Sequence, residues 1–347
     1  MVDRAATGSR LGFPSPPART TLAYAEDVRR RVDLVVLGTA LAASFATGVL
    51  GLWVSEPHAG LVVWAHGAAG MAVIALVWSK LGVVRRGLLR RWPQVGGSLA
   101  GVLCAVGLLG FGLAHSAGAG DVGPLTALGW HIAFALALVP LGVLHLATRP
   151  VLLRRGDLNR AAFLRLAAFT AAGVAAKLVF DRMLGARRAA TGSLEQARPS
   201  PTVWIDDPTP RLDAAAWRVD VGGHRLGLAD LARLPQHEWT CTLDCTSGWY
   251  ARNRWRGVLV SDLPLALPAG TGSLEVRSVT GYARRFDLPS VSGLMIATHL
   301  DGVPLEPGNG APVRLVASGR RGFWWVKWVT SVCPSSKPAW WPSHFPL

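Results

Sequence analysis

Histidines inside long apolar segments are the first residues of this sequence that could bind a metal. His66 and His131 lie in two such segments, in the similar contexts Trp64-Ala65-His66 and Trp130-His131. Ionisable side chains within apolar spans are energetically costly, so their presence needs an explanation. Two facing imidazoles at one level of a helix bundle are what bis-imidazole ligation of a b-type haem requires. We therefore predict that His66 and His131 bind haem iron; the alternative is that each is a hydrogen-bonded core or interfacial histidine.

Three further histidines leave other arrangements open. His145 follows His131 by fourteen positions, about 21 Å along one helix, which would suit a second haem. The equivalent position in the other segment is Lys80, so one haem is favoured over two. His115 and His58 lie near segment boundaries and could replace either ligand, although a wetted interfacial position is favoured for both.

The cysteines favour neither a disulfide framework nor a zinc site. The four, Cys104, Cys241, Cys245 and Cys333, are scattered along 347 residues. Cys241 and Cys245 lack the C-x-x-C spacing of a zinc site, and no second pair completes one.

Long apolar segments in the N-terminal half must position the histidines. A span of about twenty residues crosses a hydrocarbon core at 1.5 Å per residue. The predicted spans are 34–54, 61–81, 97–115, 124–148 and a shorter, less apolar fifth at 163–180. Together they predict an all-α transmembrane bundle over residues 34–184, in which the fifth span decides on which side of the membrane the rest of the chain lies.

The charge distribution indicates a membrane protein rather than a nucleic-acid-binding one. The net charge is +15, but many arginines cluster in short segments between apolar runs, around Arg30, Arg86 and Arg154. This positive-inside pattern predicts contact with the lipid of the cytoplasmic leaflet and no nucleic-acid partner. The loops with Glu56 and Asp121 are expected outside, and residues 1–33 are expected to form a loosely ordered cytoplasmic tail.

After a linker at 185–200, residues 201–347 read as a separate soluble domain. Short alternating segments at 217–221, 274–279, 313–316 and 324–329 predict strands, and 228–234 predicts one helix. The expected class is α+β, mainly β, within one core.

This domain also carries a family resemblance. The motifs are, in order, Thr242-Leu-Asp-Cys245-Thr-Ser-Gly248-Trp249, Trp255-Arg-Gly257-Val258, Ser278-Val-Thr-Gly281-Tyr282, Leu300-Asp-Gly-Val-Pro304-Leu305, Asn309-Gly-Ala-Pro-Val-Arg314-Leu315 and Gly322-Phe-Trp-Trp-Val-Lys327-Trp328. In order and spacing they resemble the molybdenum-cofactor-binding domain of the sulfite oxidase family. The branch they most resemble includes the catalytic subunit of the periplasmic methionine-sulfoxide reductase, whose partner is a haem b membrane subunit. Here the two appear as one fused chain.

The resemblance implies the following site residues. Cys245 would be the thiolate ligand of molybdenum, in keeping with a soft ligand for a metal that also carries a pterin dithiolene. Cys241, the rival ligand, falls in the preceding strand and is predicted to be a buried apolar residue. Positions that match contacts to the pterin or its phosphate are Ser278, Thr280, Asn309, Arg314, Trp325, Val326 and Lys327. Arg320 and Arg321 are expected to be turn residues, with contact to the cofactor phosphate as the alternative. Tyr250, Arg252 and Arg254 could either reach substrate or face solvent.

The function implied is a membrane-bound molybdopterin-dependent oxidoreductase. It would exchange electrons with quinone or another membrane carrier through haem b, and transfer an oxygen atom to or from a small substrate. Export of a folded domain would use the twin-arginine route, for which Arg154-Arg155 and Arg160 to Arg165 resemble a degraded signal. The alternative is a membrane-anchored binding or sensory module with a catalytically inactive domain.

Overall fold

Five helices form the N-terminal half in this computed structural model, which describes residues 18–55, 57–90, 96–148, 158–184, 188–201 and 208–341. They are α1 (Ala18–Trp53), α2 (Ala59–Arg90), α3 (Gly96–Ser116), α4 (Ala127–Thr148) and α5 (Arg160–Met183). Among the described residues, each of these five contains a stretch long and apolar enough to cross a membrane, by length and composition. The fifth has 24 residues, slightly more than α3 with 21 and α4 with 22.

The helix ends differ from the predicted spans for local reasons. α1 begins at Ala18, so part of the predicted N-terminal tail is helical. Before α4, residues 121–126 form a small hairpin of β1 (Asp121–Val122) and β2 (Leu125–Thr126). α5 is three residues longer at each end than predicted. At its start the Asn159 side chain accepts a hydrogen bond from the Ala162 amide at 3.0 Å, which satisfies a free helix-terminal donor. The predicted signal residues Arg154 and Arg155 lie outside the described residues.

The helices pack as two antiparallel pairs with α5 added to one of them. α1 packs on α2, α2 on α5, and α3 on α4. One apolar cluster holds α1, α2 and α5 together, with Val36, Leu76 and Ala162 buried in it. α1 and α3 both end at one end of the bundle, at Trp53 and Ser116. We call this the domain-facing end.

The C-terminal domain is built on two sheets. Its strands are β3 (Leu194–Glu195), β4 (Val219–Val221), β5 (His224–Leu226), β6 (His237–Asp244), β7 (Trp249–Leu259), β8 (Ser273–Ser278), β9 (Ala283–Phe286), β10 (Leu294–Leu300), β11 (Val303–Pro304), β12 (Arg314–Ala317) and β13 (Val329–Ser335), and its helix is α6 (Leu228–Arg233). One sheet has the order β11-β10-β7-β3, with β12 also paired to β10 and β6 to β7; the other has the order β5-β4-β13-β8-β9.

A single apolar core receives side chains from both sheets, including Trp255, Ile296, Val276 and Val332. Along β7 the buried residues alternate with exposed ones, as expected for a sheet with one solvated face. The domain is mainly β, as predicted, and the predicted helix is present as α6.

One predicted strand is wrong. The segment 324–329 was predicted to be a strand. Instead, a 3-10 turn covers Gly322–Trp324, and the strand β13 starts only at Val329. The turn forms because the Trp324 and Trp325 amides donate to Arg321 and Gly322 carbonyls, at 2.8 and 3.0 Å, instead of to a neighbouring strand.

Candidate functional site

Cys245 lies in a tight turn between β6 and β7. Its amide donates to the Trp249 carbonyl at 2.8 Å, and the Gly248 amide donates to the Cys245 carbonyl at 3.1 Å. Gly248 has φ +89°, a conformation that favours glycine. We call residues 245–249 the Cys245 loop. On its other side, a methyl group on Gly322 would lie 3.0 Å from Cα of Cys245, so the segment after Arg321 packs directly against the loop.

Cys241 is placed differently, within β6. Its side chain packs against the apolar core. Burial raises the pKa of the Cys241 thiol to about 11, against partial opposing effects of Ser318 and Arg314. A thiol with so high a pKa is a poor source of the thiolate that a metal requires.

Arg314 is a buried cation close to both thiols. Its side chain lies at the start of β12 with 2% exposure. The guanidinium donates to the Asn309 carbonyl at 3.0 Å and lies 5.0 Å from the Trp255 ring and 5.3 Å from the Trp325 ring. Burial lowers the pKa of Arg314 to about 10, partly opposed by Cys245 and Cys241. In the part of the chain that the structure describes, no carboxylate pairs with this guanidinium. A buried charge of this kind is costly unless an anion accompanies it.

Asn309 and Lys327 lie beside Arg314. A methyl group on Gly310 would lie 3.0 Å from Cβ of Arg314 and 3.2 Å from Cα of Lys327. The Lys327 ammonium donates to the Gly308 carbonyl at 2.6 Å. Asn309 is buried, and within the described residues its side-chain oxygen has no hydrogen-bond partner. The fold thus brings three of the predicted cofactor contacts to one place.

The other predicted contacts lie either in a neighbouring turn or in the apolar core. Ser278 is buried, and its hydroxyl accepts from the Thr280 amide and hydroxyl at 3.3 and 3.2 Å. This turn reaches the Lys327 segment through the Val279 amide, which donates to the Trp328 carbonyl at 3.0 Å. Two residues of the matched run are buried in the core itself, namely Trp325 and Val326.

This arrangement fits a metal cofactor that brings its own ligands. No group of three or more His, Cys, Asp or Glu side chains that could hold a metal occurs among the described residues. Among these residues Cys245 would be the one protein ligand of a molybdenum whose other ligands come from an organic group. The buried Arg314 cation offers such a group a partner for its negative charge, and the unpartnered Asn309 oxygen offers an acceptor for one of its N–H groups. A cavity of about 180 Å³ adjoins Asn309, lined by Arg198, Pro199, Pro201, Leu300, Val303, Pro304 and Glu306.

The two predicted haem ligands meet inside the bundle. The His66 and His131 ring centroids lie 5.8 Å apart, with the ring planes at 85°. Each Nδ1 lies 2.8 Å from a main-chain carbonyl, Ser44 for His66 and Leu108 for His131. An Nδ1 that donates to a carbonyl leaves Nε2 as the free nitrogen of each ring, which is the usual state of a metal-binding histidine. The close approach of the two rings and their free Nε2 atoms fit a haem iron that both residues would hold.

The surroundings of the two histidines repeat. A methyl group on Gly48 would lie 3.1 Å from Cε1 of His66, and one on Gly112 would lie 2.8 Å from Nδ1 of His131. In both cases the carbonyl that faces Nδ1 belongs to the residue four positions before the glycine. The α1–α2 and α3–α4 pairs therefore present their histidines in the same way. His145 and His58, by contrast, are exposed.

The Cys245 loop lies against the domain-facing end of this bundle. A methyl group on Gly248 would lie 2.5 Å from Cε1 of His115, at the end of α3, and 2.9 Å from Cδ2 of Leu128, at the start of α4. The Thr126 hydroxyl donates to the Ser247 carbonyl at 3.2 Å. His115 is therefore not the wetted residue that the sequence suggested, because its ring packs on the loop.

Arg188 fixes the same end of α3. It donates to the His115 and Ser116 carbonyls at 2.8 and 2.7 Å. Burial lowers the pKa of Arg188, and Asp181 opposes that effect. A cation at a helix C-terminus is favourable because unpaired carbonyls make that end negative.

Arg321 fixes the end of α1. Its guanidinium donates to the Gly51 carbonyl and lies 3.5 Å from Asp244, the residue before Cys245. The Arg321 amide lies 3.3 Å from the Ser55 hydroxyl. Arg321 is 6% exposed, so it is not an ordinary turn residue as predicted. Its position directly before the matched run at Gly322 was the one sequence signal for a role at the site.

Asp244 links this contact to residues just before the domain. It accepts from the Thr191 hydroxyl at 2.5 Å and from the Ser193 hydroxyl at 2.6 Å. Arg252 and Arg254, which could have faced substrate, are exposed on the solvated face of β7, and Arg254 lies 3.9 Å from Glu238.

Comparison with known proteins finds similarities that lie in the C-terminal domain. Residues 206–341 match the family model "Oxidoreductase molybdopterin binding domain". The mitochondrial sulfite oxidase of Rattus norvegicus is 27% identical over 179 residues, which cover 40% of this chain and 32% of that protein. The sulfite oxidase of Macaca fascicularis is 27% identical over 177 residues, with 39% and 32% covered. The chain thus spans about a third of the length of the curated relatives it matches.

Among solved structures, the sulfane dehydrogenase SoxCD from Paracoccus pantotrophus matches with 22% identity and a TM-score of 0.35, over 38% of this chain and 41% of that one. The family match supports the predicted molybdenum oxidoreductase with a molybdopterin cofactor.

Proposed function

We propose that this chain, whose residues 206–341 form an oxidoreductase molybdopterin-binding domain, is a membrane-bound enzyme that joins a haem b centre to a molybdenum centre in one polypeptide. The observation that carries the proposal is the packing of the Cys245 loop against the domain-facing end of the bundle, where His115 and Leu128 touch Gly248. Two proposed redox sites that share one interface have a short route for electrons between them.

The protein's own residues have distinct roles at the molybdenum site. Cys245 would supply the one protein ligand, and Arg314 would balance the negative charge of the cofactor from its buried position. Asn309 and Lys327 would orient the cofactor from the adjoining segment. When bound, the molybdenum cofactor supplies oxygen-atom transfer coupled to a two-electron change.

The haem part of the proposal rests on the bundle. The 5.8 Å spacing of the His66 and His131 rings, and the carbonyl partner of each Nδ1, support bis-imidazole ligation of one haem b. His145 is exposed and is proposed to bind no second haem. The electron partner is a membrane quinone or another membrane carrier, which reaches the bundle from the lipid.

The substrate is proposed to be a small oxide or oxygen acceptor, either a sulfoxide or N-oxide that is reduced or a sulfite-type compound that is oxidised. Residue motifs favour the branch of the methionine-sulfoxide reductase catalytic subunit. Five spans would place the domain outside a bacterial cell membrane, opposite the arginine-rich loops.

Metal and haem quantitation on detergent-solubilised full-length protein tests the proposal. We expect one molybdenum and one haem b per chain from a host that makes molybdenum cofactor. Absence of molybdenum would favour the binding or sensory alternative, and absence of haem would reduce the bundle to an anchor. Turnover with methionine sulfoxide, other S-oxides, N-oxides and sulfite would then identify the substrate.

A further inference from the structure

His115 stands between the two proposed centres without being a ligand of either. Its ring packs on Gly248, the fourth residue of the turn that begins at Cys245. On α3 it follows Gly112, the residue that contacts His131, by three positions. Residues three apart lie on one face of a helix, about 4.5 Å apart along its axis. One face of α3 therefore contacts His131 at Gly112 and, one turn later, the Cys245 loop at His115.

α4 repeats this relationship. Leu128 approaches Gly248 from the other side, and it precedes His131 by three positions on the same helix. Thr126 donates to the Ser247 carbonyl just before α4 begins. The loop thus packs on both helices of the α3–α4 pair. On α4 its contact is about one turn from His131, and on α3 it is about one turn from Gly112, which contacts His131.

The space that His115 fills is shaped for it. Gly248 carries no side chain, and a methyl group there would lie 2.5 Å from Cε1 and 3.1 Å from Nε2 of the ring. Arg188 holds the backbone at this point through the His115 and Ser116 carbonyls. The backbone of His115 is therefore held by Arg188, and its ring packs closely against Gly248.

We propose that His115 is a positioning residue for electron transfer: its ring holds the Cys245 loop against the bundle and so sets the gap between the histidine pair and the molybdenum site. This inference rests on the proposed function. In the reductive direction, one quinol releases two electrons and two protons, and the oxide substrate takes up two electrons and two protons to give the reduced substrate and one water. The electrons cross the gap singly, and tunnelling slows steeply as a gap widens.

The first test uses the loaded full-length enzyme with His115→Ala and His115→Phe. The matched control is His58→Ala, because His58 is an exposed histidine near the same end of the bundle. Haem is reduced with dithionite, oxide substrate is added, and reoxidation of the haem α-band is followed by stopped flow. We expect His115→Ala to slow reoxidation at least tenfold, with haem content, molybdenum content and dye-driven turnover within twofold of the unaltered enzyme. His115→Phe, which restores a ring, should recover most of the rate.

The second test needs neither metal nor turnover. Hydrogen exchange of the peptide that spans Cys245 to Tyr250 is measured by mass spectrometry in the full-length protein. We expect at least fivefold faster exchange in His115→Ala than in His58→Ala, because the loop loses its support. Unchanged reoxidation together with unchanged exchange would overturn the inference. If the unaltered protein binds no haem or molybdenum, the proposed function fails, and the exchange result alone decides whether His115 positions the loop.

Discussion

Arg321 donates a hydrogen bond to the carbonyl of Gly51, 270 positions earlier in the chain. The contact joins the last turn of α1 to a buried side chain beside the Cys245 loop, since Arg321 also lies 3.5 Å from Asp244. The bundle and the domain are therefore held together by a charged group inside the interface rather than by the connecting segment alone.

Replacement of this group should loosen the interface. In Arg321→Met, Asp244 keeps its hydroxyl donors Thr191 and Ser193, so we expect a loss of about 1–3 kcal/mol in unfolding free energy. The thermal midpoint of the purified full-length protein should fall by several degrees. Arg252→Met, which alters an exposed arginine of β7, should leave it unchanged. Equal midpoints for both variants would contradict a structural role for Arg321.

Replacement of Cys245 should separate metal binding from folding. Cys245→Ser removes the proposed thiolate but keeps the size of the side chain, so we expect bound molybdenum, and with it turnover, to be lost while the protein remains folded. Cys241→Ser, in the preceding strand, is the matched comparison. It should cost stability through burial of a hydroxyl but leave molybdenum bound. The measurement is molybdenum content by mass spectrometry together with circular dichroism, and the reverse pattern would make Cys241 the ligand.

The pKa of Cys241 predicts its reactivity. Because burial raises that pKa to about 11, only about one thiol in a thousand is ionised at pH 8. Alkylation of Cys241 by iodoacetamide in the folded protein should therefore be slow at pH 8, and it should rise steeply as the pH approaches 11. Mass spectrometry of tryptic peptides measures this rate. Rapid modification at pH 8 would show that the thiol is neither buried nor protonated.

Arg314 should matter more to the cofactor than to the fold. Arg314→Met keeps the volume but removes a buried charge that has no carboxylate partner among the described residues. Apo protein should be as stable as the unaltered chain or more so, because a buried cation is destabilising without its anion. Retained molybdopterin should fall at least tenfold. Fluorescence of the oxidised pterin and the thermal midpoint of apo protein measure the two effects, and full cofactor retention would remove Arg314 from the proposed site.

The histidine pair should determine haem content. His66→Ala and His131→Ala should each abolish the b-type α-band in a reduced-minus-oxidised spectrum, since each ring would supply one axial ligand. His145→Ala should leave the band unchanged, because His145 is exposed. Loss of the band in His145→Ala alone would transfer ligation to the other end of α4.

The sequence predicted features that depend on local pattern. Five apolar segments correspond to helices, because the length of an apolar run is a local signal, and Cys241 lies in a strand before Cys245 as predicted. The predicted strand at 324–329 was wrong because hydrogen bonds within the segment outweigh its apolar pattern. The Trp325 indole donates to the Arg320 carbonyl at 2.9 Å, so this aromatic run turns to satisfy its own donors.

The contacts between the two halves could not be predicted. Nothing near Arg321 or Gly51 in the sequence marks them as partners, and an arginine before a glycine is typical of any surface turn. His115 had the same ambiguity, because a histidine at the end of an apolar span usually faces water. Its packing on Gly248 depends on how the bundle and the domain meet, which no local sequence pattern encodes.

The short strand β3 limits how far the bundle and the domain can separate. Leu194–Glu195 pairs in parallel with Trp249–Tyr250, at the end of the Cys245 loop. The stretch between bundle and domain, which the sequence predicts to be a linker, is thus partly incorporated into the domain's own sheet. In a two-subunit pair, the donor and acceptor must find each other at whatever concentration the cell supplies. In this chain the covalent connection fixes the effective concentration of the electron donor at the acceptor. The rate of electron transfer per molecule should therefore be insensitive to dilution.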